Sequence, residues 1–162
     1  MKEAYLTYGP PGCGKTTFVL NHELYDGHNR VNMDEIRKEF ANSRKKPRQL
    51  WDIAAERLES LCQSGVQNIF IDNTHTMKWQ WDLFADILIR HGYRITLVYF
   101  DLPLDAVQKQ NASTDRLKNG VVVPPKVVEE FFHRLTPLEL LPYRYNTYII
   151  RRPGMGNYNP AM

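Results

Sequence analysis

Cysteine is scarce in this chain. Only Cys13 and Cys62 occur among 162 residues. Their separation suits neither a zinc site nor a disulfide framework, so a reducing compartment is expected. Long apolar runs are missing as well. The opening "MKEAYLTYG" pairs two charges with an apolar stretch too short for a signal-peptide core. No later stretch reaches the length of a membrane span. A cytoplasmic protein (host cytoplasm if the source is viral) with no membrane partner is expected. A strong charge of one sign is also absent. The net charge is +3 and the pI about 8.8, which permits a polyanionic partner without demanding one. There is no internal repeat and no low-complexity segment.

What is present suffices for one domain over residues 1–162. Hydrophobic residues make up 43% and charged residues 24%, ordinary values for a chain that buries a core. Apolar runs at 4–9, 29–34, 68–74, 94–102 and 147–152 read as strands. Helical spacing or helix signals occur at 15–23, 34–40, 49–65, 77–91, 103–113 and 124–135. The alternation argues for an α/β fold: a mostly parallel sheet of about five strands with helices on both faces. Right-handed crossovers would put every strand's carboxyl end on one edge, where ligands bind. A basic connection is expected at 43–49, a mobile lid at about 111–125 and an irregular tail at 153–162.

The most specific signal is "GPPGCGKTT" at 9–17. Gly9, Gly14, Lys15 and Thr16 satisfy G-x-x-x-x-G-K-[ST], and the motif follows a strand and opens a helix. The glycines permit a tight loop whose backbone N–H groups point at phosphates. The lysine reaches the β- and γ-phosphates, and the threonine hydroxyl coordinates Mg²⁺. Gly12, Cys13 and Thr17 complete the expected nucleotide cradle. Such a loop serves kinases, ATPases and switch GTPases alike.

The remaining chemistry must come from other strand ends. Asp34 ends the second apolar run, where it suits either a general base for a hydroxyl or a plain helix N-cap. Arg37 follows on the same helical face and could meet a phosphate on the acceptor. Asp72, in "IFIDNT", stands where an acidic residue supports Mg²⁺. It is followed by asparagine, whereas motor ATPases commonly place a water-activating glutamate there. Arg116, and after it Lys118, lie in the lid segment and could cover the transferring phosphate.

Four stretches, taken together, resemble the kinase domain of bacteriophage polynucleotide 5′-kinases, within the small P-loop kinases. They are "LTYGPPGCGKTT" (6–17), "VNMDEIRKEF" (31–40), "IFIDNTH" (69–75) and the succession from "YFDLPLDAVQKQN" through an arginine to "VVPPKVVEEFF" (99–132). The resemblance implies an ATP- and Mg²⁺-dependent transfer of the γ-phosphate to a 5′-hydroxyl of DNA or RNA, of the kind used in nucleic-acid repair. Under it Lys15 and Thr16 hold ATP and Mg²⁺, and Asp34 is the base for the 5′-hydroxyl. Arg37 holds the acceptor's 3′-phosphate, Arg116 is the lid arginine, and Asp72 is a supporting carboxylate. Arg151 and Arg152 fall where small P-loop kinases flank the adenine. The chain departs from the pattern at Met33, where a basic residue is usual. It also lacks the D-x-D-x-T motif of the 3′-phosphatase domain that such enzymes often carry. Basic residues 44–48 could line an acceptor channel, with Trp51 or Trp79 for base stacking, although core packing is the commoner fate of a tryptophan. A small-molecule kinase is the alternative, and a nucleotide-dependent switch or ATPase a further one.

Overall fold

Alternate residues of the first strand face two different cores, and that arrangement runs through the sheet. The computed structural model describes residues 1–73, 78–112, 123–134 and 146–150. In chain order the elements are β1 (Glu3–Tyr8), α1 (Lys15–Asn21), β2 (Arg30–Val31), α2 (Met33–Glu39) and α3 (Pro47–Gln63). They continue with β3 (Asn68–Ile71), α4 (Lys78–Arg90), β4 (Arg94–Phe100), α5 (Leu104–Asn111), α6 (Pro125–Arg134) and β5 (Asn146–Ile150). The strands form one sheet in the order β2-β3-β1-β4-β5, and every pairing is parallel.

On one face Ala4, Leu6 and Tyr8 pack with Ile69, Ile71, Leu97 and Tyr99 beneath α2, α3 and α4. On the other, Tyr5, Phe70, Val98 and Phe100 pack beneath α1, α5 and α6 through Phe18, Val107 and Val128. Phe70 is fully buried and stacks on Tyr5 with ring centroids 4.9 Å apart. Burial on both faces is why these strands read as continuous apolar runs.

The chain leaves central β1 for β2 and β3 on one side, then crosses to β4 and β5 on the other. The reversal lies at the carboxyl end of β1, where an open α/β sheet has its crevice. α1, α2 and α4 leave from the carboxyl ends of β1, β2 and β3, so they begin at that edge. α3 also begins there and runs back to the start of β3. Its later residue Glu59 pairs with Arg90 at the end of α4.

Three boundaries differ from the sequence reading. The second strand spans only Arg30–Val31, and α2 begins at Met33 because Asn32 caps it: its side-chain oxygen accepts from the Glu35 N–H at 2.9 Å. Asp34 is therefore not the N-cap; it sits in the first turn. The basic connection stops at Lys46, because Pro47 occupies the first helical position, where its missing N–H costs nothing. The Gln49 side chain accepts from the Lys46 N–H at 2.7 Å and fixes that start. The third change is at Asp72, which lies just beyond the end of β3.

Candidate phosphate-binding site

The loop between β1 and α1 is shaped by its glycines. Gly12 and Gly14 have φ of +82° and +106°, in the region that side chains rarely adopt. A Cβ on Gly12 would also stand 2.7 Å from the Asn111 Cβ. Gly9 is required for space alone, since a Cβ there would lie 2.7 Å from Cys13 Sγ and 2.8 Å from Phe100 Cβ. The Lys15 ammonium is buried and donates to the carbonyls of Gly9 at 3.0 Å and Pro10 at 2.7 Å. It also lies 3.7 Å from Cys13 Sγ. Burial raises the Cys13 thiol's pKa while the Lys15 charge opposes the rise, so Cys13 packs as a neutral side chain. Thr16 and Thr17 are exposed at the start of α1.

Beside the loop stands Asp72, 3% exposed. Its Oδ2 accepts from Thr16 Oγ1 at 3.0 Å and from Arg30 Nη1 at 3.2 Å. The other end of the Arg30 guanidinium pairs with Glu35. Burial raises the pKa of Asp72; Arg30, Lys15 and the Thr16 hydroxyl pull it down, and the nearby Asp34 carboxylate pushes it up. Lys15, Thr16, Asp72 and Arg30 thus form one coupled cluster at the carboxyl edge, with Asp34 within electrostatic reach.

A lattice of polar side chains holds the strand ends in place. Asn32 Nδ2 donates to the Asp72 carbonyl at 2.8 Å, and Asn73 Oδ1 accepts from the Met33 N–H at 2.7 Å. Thr7 Oγ1 has the Ile71 and Asn73 carbonyls both at 3.2 Å to receive its one proton, and it accepts from the Asn73 N–H. These bonds tie the tips of β1 and β3 to the start of α2. Where the lattice ends, solvent begins. Asp34 and Arg37 form an ion pair at 2.8 Å, with their side chains 61% and 52% exposed.

On the other side α5 closes against the loop. With its NH₂ turned to the loop, Gln110 donates to the carbonyls of Cys13 at 3.0 Å and Gly12 at 3.1 Å. Asn111 bonds Val123 twice, Nδ2 to its carbonyl at 2.5 Å and Oδ1 from its N–H at 3.1 Å. The backbone entering the lid segment and the backbone leaving it are thereby clamped beside Gly12.

A family model described as an AAA domain, AAA_33, matches residues 5–138. The chain belongs to that family. No curated protein sequence matches it significantly. Among solved structures, this AAA-domain chain is similar to a presumed kinase from Chloroflexus aurantiacus, with a TM-score of 0.65 at 15% identity, covering 93% of this chain and 85% of that one. It is similar to a sugar kinase from Janibacter sp., at 0.62 and 14%, covering 93% and 86%. It is also similar to a chain of the Pnkp1/Rnl/Hen1 RNA repair complex, at 0.62 and 21%, covering 83% of this chain and 44% of that one. The shared feature is the α/β P-loop fold of kinases.

Of the residues singled out from sequence, Gly9, Gly12, Cys13, Gly14, Lys15, Thr16, Thr17 and Asp72 converge on one cluster, and Asp34 and Arg37 flank it on α2. Arg116, Lys118, Arg151, Arg152 and the tail at 153–162 lie outside the described residues, as does most of the lid segment. Trp51 is buried against Phe84 and Trp79, so it cannot present a face to a base; Trp79 is 39% exposed. Sequence reasoning missed Arg30, Asn73 and the clamping role of Gln110 and Asn111. Arg30 belongs to no motif in the sequence. Its one signal was position, at the entrance of a strand two residues before the Asn32 cap.

Proposed function

We propose that the chain is a P-loop phosphotransferase that moves the γ-phosphate of ATP to a 5′-hydroxyl of DNA or RNA. The observation that carries the proposal is the exposed Asp34–Arg37 pair at the sheet edge that also holds the Lys15–Thr16–Asp72 cluster. A buried ammonium over a glycine loop suits phosphate oxygens. The hard oxygens of Thr16 and Asp72, 3.0 Å apart, fit Mg²⁺ and its waters. When bound, Mg²⁺ supplies charge neutralisation on the β- and γ-oxygens.

Lys15 would hold the β- and γ-phosphates, and the backbone of Gly12, Cys13, Gly14 and Thr17 would line them. Asp34 would take the proton of the acceptor hydroxyl as its oxygen bonds to the γ-phosphorus. The bond from that phosphorus to the β-bridging oxygen breaks, and its electron pair leaves with ADP. Arg37, held 2.8 Å from Asp34, would orient the base and receive the acceptor's phosphate. Arg116 would cover the donor phosphates, and Arg152 would flank the adenine.

A sugar or other small-molecule hydroxyl is the competing acceptor, because the fold is as similar to a sugar kinase as to the RNA repair chain, with a TM-score of 0.62 for each. Two features favour a polynucleotide. The N-x-D-x-x-R spacing of Asn32, Asp34 and Arg37 is one, and the exposed basic segment following α2 is the other. The deciding experiment incubates the protein with γ-labelled ATP and Mg²⁺. The acceptors are a 5′-hydroxyl oligodeoxynucleotide, the matching RNA and a panel of nucleosides and sugars. Label on an oligonucleotide 5′ end is expected, reduced about a hundredfold or more in Asp34→Asn with ATP affinity unchanged. Label confined to small acceptors would move the acceptor class. ATP hydrolysis with nothing labelled would overturn the transfer itself.

A further inference from the structure

Trp79 opens the first full turn of α4 and is the exposed tryptophan among the described residues. Its indole meets buried Trp51 edge-on, with centroids 5.4 Å apart, so the ring is held from beneath. The Arg48 guanidinium lies 4.4 Å from the Trp79 ring centroid. Asp52 lies 4.0 Å from the Arg48 guanidinium. Side chains 41–49 are all exposed. They include Arg44, Lys45, Lys46 and Arg48, and no acidic residue stands between Glu39 and Asp52. Both α3 and α4 begin at the carboxyl edge of the sheet, as α2 does with Asp34 and Arg37. An exposed aromatic–guanidinium pair and a run of cations therefore share an edge with the phosphate loop.

We infer that the first turns of α3 and α4, with the 44–48 segment, dock a single-stranded polynucleotide. The inference rests on the proposed polynucleotide acceptor and extends it beyond the terminal nucleotide. A base stacks on the Trp79–Arg48 pair without regard to sequence, since every base has a π-face. Lys45 and Lys46 meet backbone phosphates and release counterions. The internal bases of a double helix cannot make this contact, because both of their faces are covered by neighbouring bases. The charge run alone would suit an acidic polypeptide equally well. The exposed indole beside it is what selects a strand with free bases.

The test measures binding of a 3′-fluorescein-labelled dT20 to the full chain at several salt concentrations. Wild type is compared with Trp79→Ala, Trp79→Phe and the double variant Lys45→Glu/Lys46→Glu. Trp79→Ala should bind about tenfold more weakly, while Trp79→Phe, which keeps a ring, stays within about threefold. The double variant should lose affinity and flatten the log–log salt slope by roughly 1.4, from about 0.7 for each phosphate contact. Unchanged dT20 affinity in both Trp79→Ala and the double variant would overturn the surface. So would polyglutamate that displaces dT20 at equal charge concentration and is insensitive to Trp79. The acceptor reading fails separately. If dT20 binds and the variants weaken it but no 5′ end is labelled, the surface stands and the acceptor assignment falls. If the 5′ end is labelled with unchanged KM in every variant, the reverse holds.

Discussion

The glycine loop and the tip of α2 lie at the same sheet edge, yet Lys15 is buried among carbonyls while Asp34 and Arg37 stand more than half in solvent. The loop side is built from backbone. Its carbonyls, its positive-φ glycines and the clamp from Gln110 and Asn111 leave little room for change. The α2 side is built from long charged side chains on a short helix, its start anchored by Asn32, Asn73 and the Arg30–Glu35 pair. A phosphate group is the same in every nucleotide, so a rigid cradle suits it. An acceptor differs from one enzyme to another, and a solvated rim of side chains can vary without disturbing the fold.

Substitutions on the two sides should therefore behave differently. The largest effect is expected for Lys15→Ala. Phosphate transfer should fall by about a hundred- to a thousandfold, with ATP binding weakened in a fluorescent-nucleotide displacement assay. Equal ATP affinity in wild type and variant would break the assignment of the loop as the donor site. Next comes Gly12→Ala, which combines a left-handed backbone with a contact at 2.7 Å. A loss of about 2 kcal/mol is expected in urea unfolding, since the conformation alone costs about 1–2 kcal/mol. The matching change on the other side, Lys45→Ala, should alter stability by less than about 0.5 kcal/mol.

Arg30→Gln sharpens the comparison through pH. Burial already raises the pKa of Asp72, and Arg30 is the first force holding it down. Without the guanidinium the pKa rises further. A buried acid with a raised pKa favours the folded state below its unfolded value, near 3.9. That stability is lost as pH rises through the folded value. The stability gap between wild type and Arg30→Gln should thus widen from pH 4.5 to pH 7.5, and Asp72→Asn added to Arg30→Gln should narrow it. A gap independent of pH would remove Arg30 from the Asp72 cluster. A small stability effect is likewise expected for Arg37→Ala. Its partner is exposed, so less than about 1 kcal/mol is at stake. Its signature should be a higher KM for a 3′-phosphorylated acceptor with the melting temperature nearly unchanged.

Much of the donor side was legible in the chain. "GPPGCGKTT" states a backbone conformation, because only glycine tolerates the angles at positions 12 and 14 and only glycine leaves space at position 9. The α2 side was legible in its residues and less so in their roles. Asp34 looked equally like a cap or a base. Asn32 takes the cap, which removes that reading and leaves the Asp34 carboxylate in its ion pair with Arg37; the role of base is the one proposed for it. Arg30 was hardly legible, since its position at a strand entrance does not show that a carboxylate 42 positions away will need its charge.

The sequence by itself determined the phosphate loop, the parallel α/β class and the approximate place of each element, because glycine conformation and apolar periodicity act over a few residues. Only the tertiary structure decided the order β2-β3-β1-β4-β5, the meeting of Thr16, Asp72 and Arg30, and which tryptophan is covered and which is offered to solvent. Those depend on contacts between distant segments: the desolvation of Asp72 and the packing of Trp51 beneath Trp79 exist only once α3, β3 and α4 are side by side.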